Sequence, residues 1–198
     1  SSASSILDIG TGTGLIALMM AQRSMAQRIV GIDVDAAAVE CATANFAASP
    51  WAERLAAVEC AAQKYDGEKF DLILSNPPYF VDSLHSPDGQ RTVARHTTEL
   101  TFETLDCSVC RLLADGGRFA LILPTEQMEY YLSITKLNLA RRCDVITVLG
   151  GETKRVMAEL TADRVDVPTV ESVVIENGAR GDYNAQYREL TKDFYLKF

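Results

Sequence analysis

Asn76-Pro77-Pro78-Tyr79 is the segment whose residue types most restrict a chemistry. Two adjacent prolines fix φ twice and drive Asn76 into an extended conformation, so its side chain and carbonyl point in a set direction. Neither proline has an N–H, so the local carbonyls face a site made of acceptors. Such a site suits a target with two N–H donors, an exocyclic amine or a primary amide. The lone pair of that nitrogen is delocalised and a poor nucleophile. Hydrogen bonds accepted by the Asn76 side-chain oxygen and the Pro77 carbonyl would hold it toward an electrophile and favour the tetrahedral nitrogen that forms as the new bond closes. The rate gain then comes from positioning, with the reacting atoms roughly 3–3.5 Å apart, and no base of tuned pKa is required. Tyr79 and Phe80 offer faces for stacking a planar target. In isolation a Pro-Pro loop terminator beside a capping Asn is commonplace, so its position in the fold decides the matter.

A second constellation, Asp8-Ile-Gly10-Thr11-Gly12-Thr-Gly14, lies between an apolar run and a helical pattern. Glycines in a first βα turn let a ligand approach the backbone at the carboxyl edge of a sheet. A dinucleotide site wants glycines at the first, third and sixth positions; counted from Gly10, the sixth is Leu15. The spacing is instead Gly-x-Gly-x-Gly with an acidic residue two positions before it. Both differences fit a cofactor without a pyrophosphate, such as S-adenosylmethionine, whose amino-acid end carries an ammonium group. Asp8, directly or through water, would help to hold that end, with Gly10, Thr11 and Gly12 forming the turn around it. Asp33 closes the second strand about 20 residues later, where a carboxylate can accept both ribose hydroxyls. Val34 would pack on the adenine. With that cofactor the electrophile facing Asn76 is a methyl sulfonium.

Together Asp8, Gly10, Gly12, Asp33 and Asn76-Pro77-Pro78-Tyr79 resemble the amino-group methyltransferases with a Rossmann-like seven-stranded fold and, within them, the bacterial valine-tRNA adenine-37 N6-methyltransferase family. The resemblance spans nearly the whole chain: Ile6-Leu-Asp-Ile-Gly-Thr-Gly, Phe70-Asp-Leu-Ile-Leu-Ser-Asn-Pro-Pro-Tyr-Phe, Ala94-Arg-His-Thr-Thr-Glu-Leu and Asp193-Phe-Tyr-Leu. The first two stretches are shared widely among methyltransferases, and the last two are specific to the family. The resemblance implies methyl transfer to N6 of an adenine turned out of its stack, with tRNA as substrate. On that reading Arg91 and Arg95, with Gln90 and His96 in the same loop, contact phosphates near the flipped nucleotide. Two departures stand out. Many relatives carry an Asp after strand three that binds the cofactor adenine, where this sequence has Ala61 or Ala62. Relatives also carry a cofactor-covering segment before the first strand, whereas this sequence begins almost at that strand, as a fragment or the ordered part of a longer chain would.

The elements that must position these residues alternate along the chain. Strands are expected at Ser5–Asp8, Arg28–Asp33, Leu55–Cys60, Asp71–Ser75, Arg118–Leu123, Cys143–Val148 and Val156–Leu160, with a further one possible at Glu171–Glu176. Helices are expected at Leu15–Met25, at Ala36–Ala47 behind an Asp35 cap, from about Glu99 to Ala114, at Glu126–Asn138 and at Asn184–Leu190. Asp115-Gly116-Gly117 reads as a turn. Repeated β-α alternation implies an α/β fold, a mostly parallel sheet with helices on both faces, in a single domain spanning 1–198.

Composition restricts the partners. The net charge of −8 is unfavourable for phosphate binding, so RNA contact has to rest on a local cluster; Arg141-Arg142 and Lys154-Arg155 could extend a basic rim. No apolar run approaches the roughly 20 residues of a membrane span, and the start lacks the pattern of a signal peptide, so a cytoplasmic protein is expected. Five cysteines, an odd number, argue against a disulfide framework. Cys107 and Cys110 share a helix face and read as two small buried thiols rather than zinc ligands. His85 and His96 show no ligand spacing with them, so no metal site is expected. Chemistry alone leaves the target open: adenine N6, a protein glutamine N5, or guanine N2 in ribosomal RNA. A non-catalytic cofactor-binding module is the reading of a different class.

Overall fold

Ser5-Ile-Leu-Asp-Ile9 forms strand β1, in which the neighbouring Ile6 and Leu7 are both fully buried. Consecutive strand residues point to opposite faces, so β1 is covered on both sides, as a strand in the middle of a parallel sheet must be. The computed structural model describes residues 3–77 and 100–195. Among them are eight strands and five α-helices, arranged in two compact units, Ser1–Gly117 and Arg118–Phe198.

The first unit holds β1 (Ser5–Ile9), α1 (Leu15–Arg23), β2 (Arg28–Asp33), α2 (Ala36–Ala47), β3 (Leu55–Glu59), β4 (Phe70–Ser75) and α3 (Phe102–Leu112). Its strands are ordered β3-β2-β1-β4, and all three pairings are parallel. Ala17 and Ala21 of α1 and Ala42 and Phe46 of α2 pack with Ile6 and Ile29 in one buried cluster. Small side chains let the two helices lie close, and a Cβ on Gly14 would strike the Phe46 ring. Asp35 caps α2 as expected, accepting from the Ala37 amide at 2.9 Å. Thr101 and Thr104 cap α3 reciprocally, each side chain accepting from the other's backbone N–H at 3.2 and 2.8 Å.

The chain leaving α1 is held by one distant side chain. Arg54 donates to the carbonyls of Ala21, Ser24 and Ala26 at 2.7, 3.2 and 2.5 Å, supplying partners that a helix C-terminus lacks. Arg54→Ala leaves three half-buried carbonyls to find water and is expected to lower the unfolding free energy by about 2 kcal/mol. Urea unfolding checks this, and a midpoint unchanged from wild type would contradict it.

The second unit receives the end of β5 (Leu113–Pro124), then α4 (Thr125–Ile134), β6 (Asn138–Val148), β7 (Thr153–Thr161), β8 (Thr169–Glu176) and α5 (Ala185–Thr191). Its strand order is β5-β7-β6-β8. Strand β7 is antiparallel to both β5 and β6, while β8 is parallel to β6. The pairings described are therefore mostly parallel, and β8 takes the strand count to eight, one more than the seven expected.

Several boundaries differ from expectation. Helix α3 stops at Leu112, and Asp115-Gly116-Gly117 lies inside β5, with Gly116 at φ 72; a glycine in that region lets a strand kink without a Cβ penalty. Helix α4 stops at Ile134, because Asn138 already pairs with Thr161 at the start of β6. Cys107 is exposed and Cys110 half-buried, so the helix face they share is not the buried one carrying Leu105, Val109 and Leu112.

Candidate active site

Three strand ends bring the predicted residues to one edge. Strand register sets Ile9 opposite both Ile32 of β2 and Ser75 of β4, so the glycine turn, Asp33 and Asn76 all leave the sheet at its carboxyl end. Neighbouring strands lie about 4.8 Å apart, which places Asp33 and Asn76 on either side of the turn. Ser75 fixes the second of these junctions: its buried hydroxyl donates to the Ile9 carbonyl at 3.0 Å. The next residue, Asn76, is exposed, and Pro77 is buried behind it.

The turn is built without side chains on its open side. Gly10 and Gly12 have φ of 75 and 54, and a Cβ on either would meet nothing within 4 Å. Gly10 and Thr11 donate their N–H groups to the Ile32 carbonyl at 2.9 and 3.0 Å. Asp33 binds the turn from the neighbouring strand, one carboxylate oxygen accepting from the Gly12 N–H at 2.9 Å and the other from the Asp35 N–H at 3.0 Å. Each oxygen keeps a second lone pair for a ligand hydroxyl. Val34, expected at the adenine, is 64% exposed, leaving its face available for stacking.

Asp8 lies beneath the turn and is fully buried. One oxygen accepts from the Thr11 hydroxyl at 2.7 Å; the other, Oδ1, has no hydrogen-bond partner among the described residues. Burial pushes its carboxyl up to about 6, partly countered by the Thr11 hydroxyl and the Ala17 amide, with Asp33 adding a smaller push upward. Below pH 4 the group is protonated whether the chain is folded or not. As pH rises through about 6 the folded protein must carry a buried charge, and stability present at low pH is lost, about 3 kcal/mol in all. Asp8→Asn is therefore expected to unfold at higher urea than wild type at pH 7.5, with the gap closing by pH 4. A gap of equal size at both pH values would contradict that.

The arrangement fits the cationic amino-acid end of S-adenosylmethionine and not a pyrophosphate. An open glycine cradle sits over one buried carboxylate with an unused oxygen and beside a second carboxylate, a pair that attracts an ammonium and repels a phosphate.

Four contributors go beyond the residues expected from the sequence. Ser75 is one. Gly31 is another: a Cβ there would collide with the Thr11 side chain, and an isolated glycine within a strand is the sign of such a close approach. Asn45 of α2 donates to the Thr13 carbonyl at 2.9 Å, bracing the turn from outside. Arg111 of α3 donates to the carbonyls of Tyr65 and Ala62 at 2.7 and 3.0 Å, holding the short helical turn after β3. That turn begins at the buried Ala62 and carries the exposed Gln63; the Cys60 N–H before it binds the Asp33 carbonyl at 2.8 Å.

Pro78, Tyr79, Phe80, His85, Gln90, Arg91, Arg95 and His96 lie outside the described residues, as does the last residue of Asp193-Phe-Tyr-Leu. The basic rim is largely neutralised. Arg141 pairs with Glu171, Arg142 with Glu129 and Asp144, and Lys154 with Glu152. Among the described residues no group of three or more His, Cys, Asp or Glu is placed to hold a metal ion, and no helix is long and apolar enough to cross a membrane.

Residues 1–128 match the family model described as the methyltransferase small domain. A tRNA1(Val) (adenine(37)-N6)-methyltransferase of Bacteroides thetaiotaomicron is 42% identical over 201 residues, covering 96% of this chain and 82% of that protein. The protein of the same name from Phocaeicola vulgatus is 45% identical over 199 residues, covering 98% and 84%. Among solved structures, a protein from Agrobacterium tumefaciens described as a predicted O-methyltransferase superposes with a TM-score of 0.73 at 14% identity, over 96% of this chain and 88% of that one. A glycopeptide N-methyltransferase complexed with S-adenosyl-L-methionine superposes with a TM-score of 0.59 at 11% identity, over 81% and 87%. At these identities the structural likeness is one of fold, a Rossmann-like methyltransferase fold. The sequence likeness reaches further: with its glycine turn and its Asn-Pro edge in register at the carboxyl ends of β1 and β4, the chain belongs to the tRNA1(Val) (adenine(37)-N6)-methyltransferase family.

Proposed function

We propose that the protein transfers a methyl group to the exocyclic N6 of an adenine in tRNA, the anticodon-adjacent position 37 of valine tRNA named for its relatives. The observation that carries this reading is the exposed Asn76 at the end of β4, locked beside the glycine turn through Ser75 and Ile9. S-adenosylmethionine, when bound, supplies an electrophilic methyl group on a sulfonium. The chain's own residues do the rest. Asp33 accepts from ribose hydroxyls, Asp8 faces the ammonium end, and Gly10, Thr11 and Gly12 form the cradle. The Asn76 side-chain oxygen and the Pro77 carbonyl accept the two N–H bonds of the amine. That contact orients the nitrogen lone pair and stabilises the positive charge that develops on nitrogen as the C–N bond forms. The proton is released afterwards to solvent, with no dedicated base. Tyr79 and Phe80 stack on the flipped adenine, and Arg91, Arg95 and His96 contact the surrounding tRNA. The reaction runs in the cytoplasm, within one methyltransferase domain.

The direct test is nucleoside mass spectrometry of tRNA incubated with enzyme and isotopically labelled cofactor. N6-methyladenosine carrying the label in valine tRNA is the expected product. Label found only in protein would support the glutamine reading instead, and label in ribosomal RNA guanine the third.

A further inference from the structure

Asp8 and Thr11 form a pair that the transfer reaction does not by itself explain. Thr11 is 7% exposed and Asp8 0%, so their hydrogen bond lies out of reach of bulk water. The Thr11 side chain packs where a Cβ on Gly31 would otherwise stand, with Oγ1 2.5 Å and both Cβ and Cγ2 2.8 Å from that position. Gly31 is the register partner of Asp8 across β1 and β2. The three residues therefore form one unit: the glycine makes room, the threonine fills it, and its hydroxyl donates to Asp8 Oδ2. The second oxygen, Oδ1, is left without a partner among the described residues.

We propose that Thr11 is a positioning residue rather than a direct cofactor ligand: its hydroxyl fixes the buried Asp8 carboxylate beneath the turn so that its negative charge is available to the ammonium end of the cofactor. This rests on the reading of Asp8 given above. Of the other groups around Asp8, the Ala17 amide of α1 also favours the charged form but less than the Thr11 hydroxyl does, β4 contributes the apolar Leu74 opposite it in register, and Asp33 of β2 works against ionisation. Without the Thr11 donor the carboxyl would hold its proton into the neutral range, and a neutral carboxyl has little to offer an ammonium.

Thr11→Val removes the hydroxyl and nearly preserves shape; Thr11→Ser keeps the hydroxyl. Three measurements on the full chain decide the matter. In the cofactor-free protein, carbon-13 NMR of the Asp8 carboxyl should show a titration midpoint raised by about one to two pH units in Thr11→Val, with Thr11→Ser near wild type. Calorimetry with S-adenosylhomocysteine, which retains the ammonium end, should show affinity at pH 7 weakened about two- to tenfold in Thr11→Val, with the gap narrowing by pH 8.5. Calorimetry with 5′-methylthioadenosine, which lacks that end, should show no such loss.

Equal weakening of both ligands would make Thr11 a general brace for the turn and overturn the proposal, as would a Thr11→Ser variant that behaves like Thr11→Val. Asp8→Asn separates the two layers. If it weakens S-adenosylhomocysteine while Thr11→Val does not, the role of Thr11 falls and that of Asp8 stands. If Asp8→Asn leaves the affinity unchanged, both fall.

Discussion

Asn76→Ala is expected to lower kcat by about a thousandfold while leaving the dissociation constant of S-adenosylhomocysteine within a few fold of wild type. The magnitude is that of losing one well-placed polar group aimed at developing charge. On the proposed mechanism the amide oxygen and the Pro77 carbonyl each accept one N–H of the amine. With the side chain gone, one N–H is unheld and the nitrogen lone pair is free to rotate back into conjugation. The split between the two readouts follows from position. Asn76 is exposed, and the bond that fixes the strand end is made by Ser75 to Ile9 at 3.0 Å, so truncation at Asn76 leaves the glycine turn and Asp33 as they were. Single-turnover assays on tRNA, paired with calorimetry, read both quantities. A variant that retains more than a tenth of wild-type turnover would remove Asn76 from the chemistry, and a collapse of cofactor affinity would show that the residue holds the edge together instead. Asn76→Asp sharpens the test: it keeps an acceptor but adds charge, and an activity above that of Asn76→Ala would identify the acceptor as the working part.

The same edge shows what a sequence discloses and what it hides. The glycine turn, Asp33 and Asn76 were legible because each sits at a strand end whose apolar run is short and bounded, and β1 and β4 end within one residue of the expected positions. What joins them was not legible. Ser75 donates across 66 residues of sequence, and nothing in a serine before an asparagine says which strand will be its neighbour. Arg54 and Arg111 belong to no motif, yet they reach carbonyls 28 to 49 residues away. Long flexible side chains find partners only once tertiary packing has set the distances. Thr11 is expected among the cofactor-binding residues by its place between two glycines, and nothing in that place says that its hydroxyl turns inward to Asp8. The glycine that makes room for it, Gly31, lies in the next strand, and the sequence does not say that Thr11 will be its neighbour.

The fold misses have a similar cause. Asn138–Arg142 looked like the end of a helix and the approach to a strand, because alternation is weak there: the strand positions of β6 are nearly all half-buried. Pairing with β7 on one side and β8 on the other, through nearly the whole of β6, outweighs local helix propensity. The glycines at 116 and 117 signal a turn wherever they occur, and only the pairing of Phe119 onward with β7 shows that the strand continues through them.

Asp33→Ala should act on the opposite side of the reaction from Asn76→Ala, raising the cofactor dissociation constant by two orders of magnitude or more. Two effects combine. A carboxylate that accepts both ribose hydroxyls makes two charge-assisted hydrogen bonds, each of about 1.5–3 kcal/mol. The same carboxylate now accepts from Gly12 and Asp35 at 2.9 and 3.0 Å, so its loss also frees the turn that must be ordered for binding. Asp33→Asn separates these contributions, since its single oxygen can serve the Gly12 amide or a hydroxyl but not all of them; an intermediate affinity is expected. The ribose is shared by S-adenosylhomocysteine and 5′-methylthioadenosine, so both ligands should weaken together, in contrast to the selective loss expected at Thr11. At saturating cofactor kcat should fall less than tenfold, because on the proposed mechanism Asp33 takes no part in holding the amine. If Asp33→Ala binds S-adenosylhomocysteine as wild type does, the carboxylate is a brace for the turn and nothing more; if the two ligands part company, it acts on the amino-acid end, and the assignment of ribose to Asp33 is wrong.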